Sequence, residues 1–240
     1  KKTPWSENAL AMIAGRVIYP GSKLSLTNMY LDTVLWELCG HDKKSQPDVN
    51  KDCYQPMDEL LKRQRSIQKQ LAHKHLQDGC IVLYDITSTY FEGEYENSSL
   101  VKYGYSRDCK RGHEQVNIGL LTNAQGCPVA IETFPGNTQD QVTVKGQVKQ
   151  LVNEFNVKDV VFVGDRGMLT PKRIEEVNEK GFKTITALTH LQMQDLLSRD
   201  IIKTSLFKTH EYPEVKDPDN PKIRYVLCLN PKRQKIDSHT

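Results

Sequence analysis

The sequence predicts an α/β fold, a mixed sheet with flanking helices, preceded by a helical N-terminal segment. Three observations predict it. Residues 1–78 carry apolar side chains at helical spacing. From Cys80 onward the pattern changes to short β-branched runs. Those runs open with a hairpin and then alternate with helical stretches, which calls for parallel crossovers beside an antiparallel pair.

In the helical segment, "LTNMYLDTVLWELCG" spaces Met29, Leu31, Val34, Leu35 and Leu38 as one helix ended by Gly40. "PMDELLKRQRSIQKQLAHKHLQDG" puts Met57, Leu60, Leu61, Ile67 and Leu71 on one face, flanked by Lys62, Arg63, Arg65, Lys69 and Lys74 and stopped by Gly79. That basic flank is either a solvated surface or a phosphate contact. "HDKKSQPDVNKD" reads as the loop between the two helices.

The strands come next. "CIVLYDITSTY" reads as a buried strand, and "FEGEYENSSLVKYGYSRDCKRGHEQ" as a long polar stretch. "VNIGLLTN" and "PVAIETFPG" are strands joined through the turn "NAQGC". "TVKGQVKQLVNEFN" is a helix presenting Val144, Val148, Leu151, Val152 and Phe155. "DVVFVGD" is a strand. "TPKRIEEVNEKG" is a helix with Thr170 as N-cap and Pro171 in its first turn, and "KTITALT" is a last strand. From Leu191 the chain becomes Pro- and Asp-rich around "EYPEVKDPDNPK", with a short strand in "IRYVLCLN".

Composition narrows the function classes. Of 240 residues, 38% are hydrophobic and 26% charged, which suits a soluble globular protein, and no apolar run reaches membrane-spanning length. The N-terminus lacks the apolar core of a signal peptide. Six scattered cysteines include no CxxC pair, so reduced cytosolic thiols are expected in place of a zinc knuckle. A net charge of +3 permits a nucleic-acid partner without demanding one.

Two acids raise the chemical question. Asp85 sits inside an apolar strand and Asp165 ends another, "DVVFVGDRGM". A buried carboxylate without a partner is very costly, so each needs a cation, a metal or a hydrogen-bond donor. If the first and fourth strands are parallel neighbours, the two acids meet at one sheet edge. Hard oxygen donors there suit Mg²⁺ or Mn²⁺, as in phosphodiester displacement. Separately, each Asp reads as a helix cap or an ion-pair partner. Thr138 or Asp140 is expected to cap the helix after "FPGNTQD", with Asp140 as a metal ligand the weaker reading. Lys102, Arg107, Lys110, Arg111 and His113 interleave with Tyr103 and Tyr105, a pattern that suits either DNA contact or a solvated loop. Arg166 suits a phosphate or a carboxylate partner.

The run from "YDITSTYFE" through "KYGYSRD", "NIGLLTNAQGCPVAIETFPGNTQD" and "VFVGDRGMLT" resembles the catalytic core of DDE transposases of bacterial insertion sequences, in the branch related to insertion sequence four. "NKDCYQPMDELLKRQRSIQKQL" resembles the helical segment before that core, so the likeness covers roughly residues 17–189. The resemblance implies an RNase H-like fold, with residues 1–78 a helical region, 79–190 the catalytic core and 191–240 the start of a β-rich insertion. It implies Asp85 and Asp165 as the first two acids of the triad, binding Mg²⁺ or Mn²⁺. Lys102, Arg107, Lys110, Arg111 and Arg166, read from the cation pattern above, are the candidate DNA-contact residues. The implied partners are transposon-end and target DNA, with a homodimer open and no membrane, in a bacterial cytoplasm at the nucleoid.

The resemblance also implies a third acid, a Glu that follows a Tyr and an Arg three residues after that Tyr. Neither Tyr212 nor Tyr225 has an Arg three residues later, and nothing from Leu191 to Thr240 completes the pattern. The expectation is a transposase truncated before its third acid and inactive alone. Two rivals stand beside it. A non-catalytic DNA-binding fragment would lack the cutting step. A haloacid dehalogenase-type phosphatase would need a second Asp two residues after the first, where this chain has Thr87, and an all-parallel sheet.

Overall fold

The computed structural model describes residues 4–93, 95–105, 112–207 and 212–229. The N-terminal part is a small helical cluster: α1 (Pro4–Ile18), α2 (Lys23–Asn28), α3 (Leu35–Leu38) and the long α4 (Gln55–His75). Its core is Ala11, Met12, Leu26, Trp36 and Cys53. The Trp36 indole N–H donates to Leu26 O at 3.0 Å. Burial pushes the Cys53 thiol up to about 11, so it behaves as a small apolar group.

Two helical expectations are corrected here. The single helix predicted up to Gly40 is broken into α2, a 3₁₀ turn at Met29–Leu31 and α3. Hydroxyls compete with the backbone ladder: Thr27 Oγ1 donates to Leu24 O at 2.9 Å, and Thr33 Oγ1 accepts from Leu35 N at 3.1 Å. In the predicted loop before α4, Val49–Tyr54 forms a π-helical turn capped by Asp48, which accepts from Lys51 N at 2.7 Å. On α4, Met57, Leu61 and Ile67 are exposed, while Pro56, Gln68 and Ala72 are buried. The inward face is set by hydrogen bonds: Gln64 and Gln68 both donate to Ile131 O, at 2.7 and 2.8 Å, and Gln150 donates to Gln68 Oε1 at 2.9 Å.

The sheet contains β1 (Cys80–Phe91), β2 (Lys102–Tyr103), β3 (Glu114–Asn123), β4 (Pro128–Pro135), β5 (Val160–Gly164) and β6 (Lys183–Ile185). Its order is β3-β1-β5-β6, with β2 and β4 sharing the outer edge of β3. The β1, β3 and β4 pairings are antiparallel, while β1, β5 and β6 run parallel. Helices α5 (Asp140–Asn153) and α6 (Pro171–Asn178) make the crossovers. The β3–β4 turn forms as the sequence predicts. Asn123 Oδ1 accepts from Gln125 N and Cys127 N at 3.0 and 2.9 Å, and Gly126 takes the φ of 79° that the reversal needs. The mixed α/β, RNase H-like fold implied by the motifs is the fold observed.

The main core lies under one face. Val82, Tyr84, Ile86, Leu121 and Phe162 pack against Val144, Val148 and Leu151 of α5, Val177 of α6, and Ala72 at the end of α4. Each fully buried aliphatic chain there contributes roughly 1.5–3 kcal/mol. Val152 and Phe155 pack at its margin, so the predicted inward face of α5 holds. The opposite face carries Ile81, Leu83, Leu120, Ile131 and Ile185, between 37% and 53% exposed. Among the described residues the flanking helices therefore cover one face of the sheet. A segment not predicted, α7 (His190–Ser198), starts from a capping box of Thr189 and Gln192. Beyond it β7 (Glu214–Lys216) pairs with β8 (Arg224–Val226) over Leu196, Ile202 and Leu227. Among the described residues no helix is long and apolar enough to cross a membrane.

Candidate functional site

The β1–β5 pairing positions the two acids. Its register runs from Cys80 opposite Val160 to Tyr84 opposite Gly164. Asp85 and Asp165 are each the next residue after that last pair. β5 ends there, while β1 continues beyond it to Phe91 with β3 as its partner. Asp85 is therefore not buried, contrary to the sequence expectation. β1 alternates strictly, with Val82, Tyr84 and Ile86 inward and Ile81, Leu83 and Asp85 on the open face. The apolar outward residues made the strand look buried on both sides, but the cost of a buried carboxylate does not arise. Asp85 Oδ1 accepts from Ile86 N at 2.8 Å.

Asp165 is held by a tight turn rather than by strand pairing. Its carbonyl accepts from Met168 N and Leu169 N, both at 3.0 Å, and Met168 and Leu169 are driven into the core. The hydrophobic grip of these two residues leaves Asp165, Arg166 and Gly167 exposed at the sheet edge. A Cβ added at Gly167 would stand 3.5 Å from Asp165 Oδ2, so the glycine keeps the flank of this carboxylate open.

Behind Asp85, the Tyr84 ring fills the core side. Burial pushes its phenol up to about 12, opposed by the nearby Thr143 side chain and reinforced by the charges of Glu132, Asp140 and Asp85. The Thr143 hydroxyl, near the phenol, donates to Asp140 O at 2.7 Å, and the Tyr84 hydroxyl has no hydrogen-bond partner among the described residues. Gly119 makes room for this ring, since a Cβ there would lie 2.5 Å from the Tyr84 oxygen.

Of the expected DNA-contact residues, Lys102 and Arg166 are among those described. Lys102 is half-buried in β2, opposite Gln115, while Asp85 lies opposite Leu120. Five residues of strand put Lys102 about 17 Å from Asp85 along the sheet. Arg166 is adjacent to Asp165 and donates to Leu188 O at 3.3 Å. Arg107, Lys110 and Arg111 lie outside the described residues. On the basic flank of α4, Lys62 and Arg63 pair with Glu59, and Arg65 makes two 2.8 Å bonds to Glu154. Those three cations are engaged within the protein, and the solvated-surface reading accounts for them.

Sequence reasoning missed the clamp that shapes the far end of the site. Gln115, 1% exposed, donates from Nε2 to both Tyr105 O and Gly136 O at 2.9 Å. Asn117 donates to Thr138 O at 3.0 Å. Gly104 and Gly136 meet backbone to backbone where β4 hands the edge of β3 to β2, with no space for a Cβ on either. The available signal was "GNT" directly after a strand, which reads as a turn unless a buried amide is known to face it. The cap expected from Thr138 or Asp140 falls instead to Gln139, whose side chain makes no capping bond. Asp140 takes the first helical position, where a negative charge complements the helix dipole. Between this loop, Tyr105 and Gly167 lies an open cleft of about 400 Å³. Among the described residues no three His, Cys, Asp or Glu side chains converge on a metal position.

Solved structures resemble the chain distantly. A piggyBac transposase synaptic complex with hairpin DNA, seen by cryo-EM, aligns at 12% identity and a TM-score of 0.49, over 88% of this chain and 47% of that one. A pre-cleavage Mos1 transpososome aligns at 10% identity and a TM-score of 0.31, over 77% and 78%. The chain thus spans about half the length of the piggyBac transposase it matches. No curated protein matches it in sequence. The family model described as the transposase DDE domain matches residues 76–237, which take in β1 to β8 with both acids, and the chain belongs to that family.

Proposed function

We propose that this chain is the catalytic part of a DNA transposase of the branch related to insertion sequence four, with residues 79–190 as the core that cuts and joins DNA ends. The observation that supports it most is the register of β1 and β5, in which Asp85 and Asp165 each follow the last paired residue, at the point where β5 ends and β1 runs on. Both carboxylates are exposed, and Gly167 leaves one flank of Asp165 open. That donor set fits Mg²⁺ or Mn²⁺, which take one or two carboxylates and complete their shells with water and phosphate oxygens. When bound between Asp85 and Asp165, the ion would supply Lewis-acid polarisation of the scissile phosphate.

The protein's own part is positional. The β1–β5 pairing holds Asp85, and the Met168–Leu169 anchor holds Asp165. Arg166, next to Asp165, brings a permanent positive charge to the place where a DNA phosphate would approach. Two carboxylates without a third make a weak site. Calorimetric titration with Mn²⁺ is expected to show weak binding that Asp85→Asn and Asp165→Asn each abolish. Binding that survives both substitutions overturns the two-acid site.

A second reading is favoured by one observation, the lack of a third converging acid among the described residues. It is a chain that binds DNA without cutting it. A strand-cleavage assay in Mn²⁺ separates the two. Efficient cleavage abolished by Asp85→Asn supports the catalytic reading, and duplex binding without cleavage supports the second. The phosphatase reading fails on topology, because β1 pairs antiparallel with β3.

A further inference from the structure

The segment after β6 packs on itself. Leu196, Ile202 and Leu227 are its buried residues, with Leu188 against them, and none of these belongs to the main core under the sheet. Its cations Arg199, Lys203 and Arg224 pair with acids of the same segment. The connector from Thr186 to Thr189 has no regular structure. Among the described residues one hydrogen bond joins this lobe to the sheet: Arg166 Nη1 donates to Leu188 O at 3.3 Å. Both ends of that bond are anchored. Arg166 stands on the turn of Asp165, which Met168 and Leu169 fix in the main core. Leu188 packs its side chain into the lobe while its carbonyl meets Arg166.

We propose that Arg166 is a latch: it holds the α7–β8 lobe to the acid turn through Leu188 O, and it exchanges that carbonyl for a phosphate oxygen when DNA reaches Asp165, which frees the lobe. The inference rests on the DNA-transposase reading above and gives Arg166 a mechanical part beside its charge. The chemistry favours the exchange. Leu188 O is a neutral acceptor, and its bond is longer than the usual N–H···O separation. A phosphate oxygen is charged, so its bond to a guanidinium is shorter and gains an ion-pair attraction. The guanidinium fork also matches two phosphate oxygens at once, which one carbonyl does not offer. Arg166 is exposed, so its head swings between partners without opening the core. Once released, the lobe keeps its own small cluster and its own hydrogen bonds, and a unit of that size opens locally with ease.

Hydrogen–deuterium exchange of the full chain tests this, with and without a DNA duplex whose binding is followed by fluorescence anisotropy. In the wild type, bound duplex is expected to speed exchange in α7 and the β7–β8 hairpin roughly threefold to tenfold, the effect of losing one ordinary hydrogen bond. Arg166→Ala should show the faster exchange without DNA and no further rise with it. Arg166→Lys, which keeps a charged donor, should respond as the wild type does. Inorganic phosphate at the same phosphate concentration should change little, and a rise equal to that with DNA overturns DNA as the trigger. Wild-type exchange that bound DNA leaves unchanged or slows overturns the latch, because a merely structural Arg166 gives that result. Equal exchange of wild type and Arg166→Ala without DNA overturns it too. A duplex that fails to bind overturns the transposase reading and the trigger with it, while the DNA-free comparison of the two proteins still decides whether Arg166 holds the lobe.

Discussion

Gly119 shows how a single residue protects the site from behind. Its missing side chain is the space that the Tyr84 ring occupies directly behind Asp85. Gly119→Ala is expected to cost about 1–3 kcal/mol through overpacking, because both Tyr84 and Phe134 press on the position. Urea unfolding measures this, and an unchanged midpoint would show that the ring moves freely. Gln115 makes the complementary case. Gln115→Leu keeps the volume but strips a donor from Tyr105 O and Gly136 O. Tyr105 O then loses this amide donor and Gly136 O keeps only a 3.4 Å bond from Asn117 Nδ2, and an acceptor left poorly paired costs roughly 1–3 kcal/mol. The variant is expected to unfold at lower urea, with limited proteolysis cutting first near Tyr105. The position of Asp85, inside β1 and one residue past its pairing with β5, was legible from the apolar run before it. The role of Gln115 was not, because an amide in a polar stretch gives no sign that it will be buried.

Elements are tied together by short connectors, and the one before β1 is pH-sensitive. Asp78 accepts from Lys158 N and Asp159 N, at 2.6 and 3.2 Å, and Gly79 N donates to Asp159 O at 2.8 Å. This bracket sets β1 against β5 at the end remote from the two acids and so helps set the register. The backbone donors hold the Asp78 carboxyl below its usual value. A carboxylate with a depressed folded pKa contributes stability above its unfolded pKa, about 3.9, and loses it as pH falls through the folded value. Asp78→Asn should therefore lower the unfolding midpoint at pH 7, and the gap from wild type should close in strong acid. A gap independent of pH would show that the carboxylate charge plays no part. The α4 face was misread at this same scale. Hydrophobic spacing pointed to Met57, Leu61 and Ile67, but an edge carbonyl on β4 recruited Gln64 and Gln68 and turned the helix accordingly.

Across the whole molecule the net charge of +3 is small, so DNA affinity depends on where the cations lie. Binding is expected to fall linearly on a log–log plot against salt, as phosphate contacts release counterions. Charge reversal at Arg107 and Lys110 should weaken binding and flatten that slope, and fluorescence anisotropy at stepped salt reads both. Unchanged affinity would show that these cations do not contact DNA. The same reversal at Arg65 should do little beyond loosening its pair with Glu154.

Patterns along the chain carried the order of β1, β3, β4, α5, β5, α6 and β6, the β3–β4 turn, the family, and the two acids at the ends of apolar runs. These are local signals: β-branched runs, Asn and Gly at a reversal, helical spacing, and a carboxylate directly after a strand. Assembly of the layers settled that Asp85 faces the open side of the sheet, that Gln68 and not Ile67 is buried, and that β2 and β4 share one edge of β3 across paired glycines. Each of those outcomes depends on which partner a side chain or carbonyl meets from a distant part of the chain. An alternating strand whose outward positions are also apolar has the same one-dimensional pattern whether one face or both are covered. Burial is a property of the assembled layers, and no window of residues along the chain contains it.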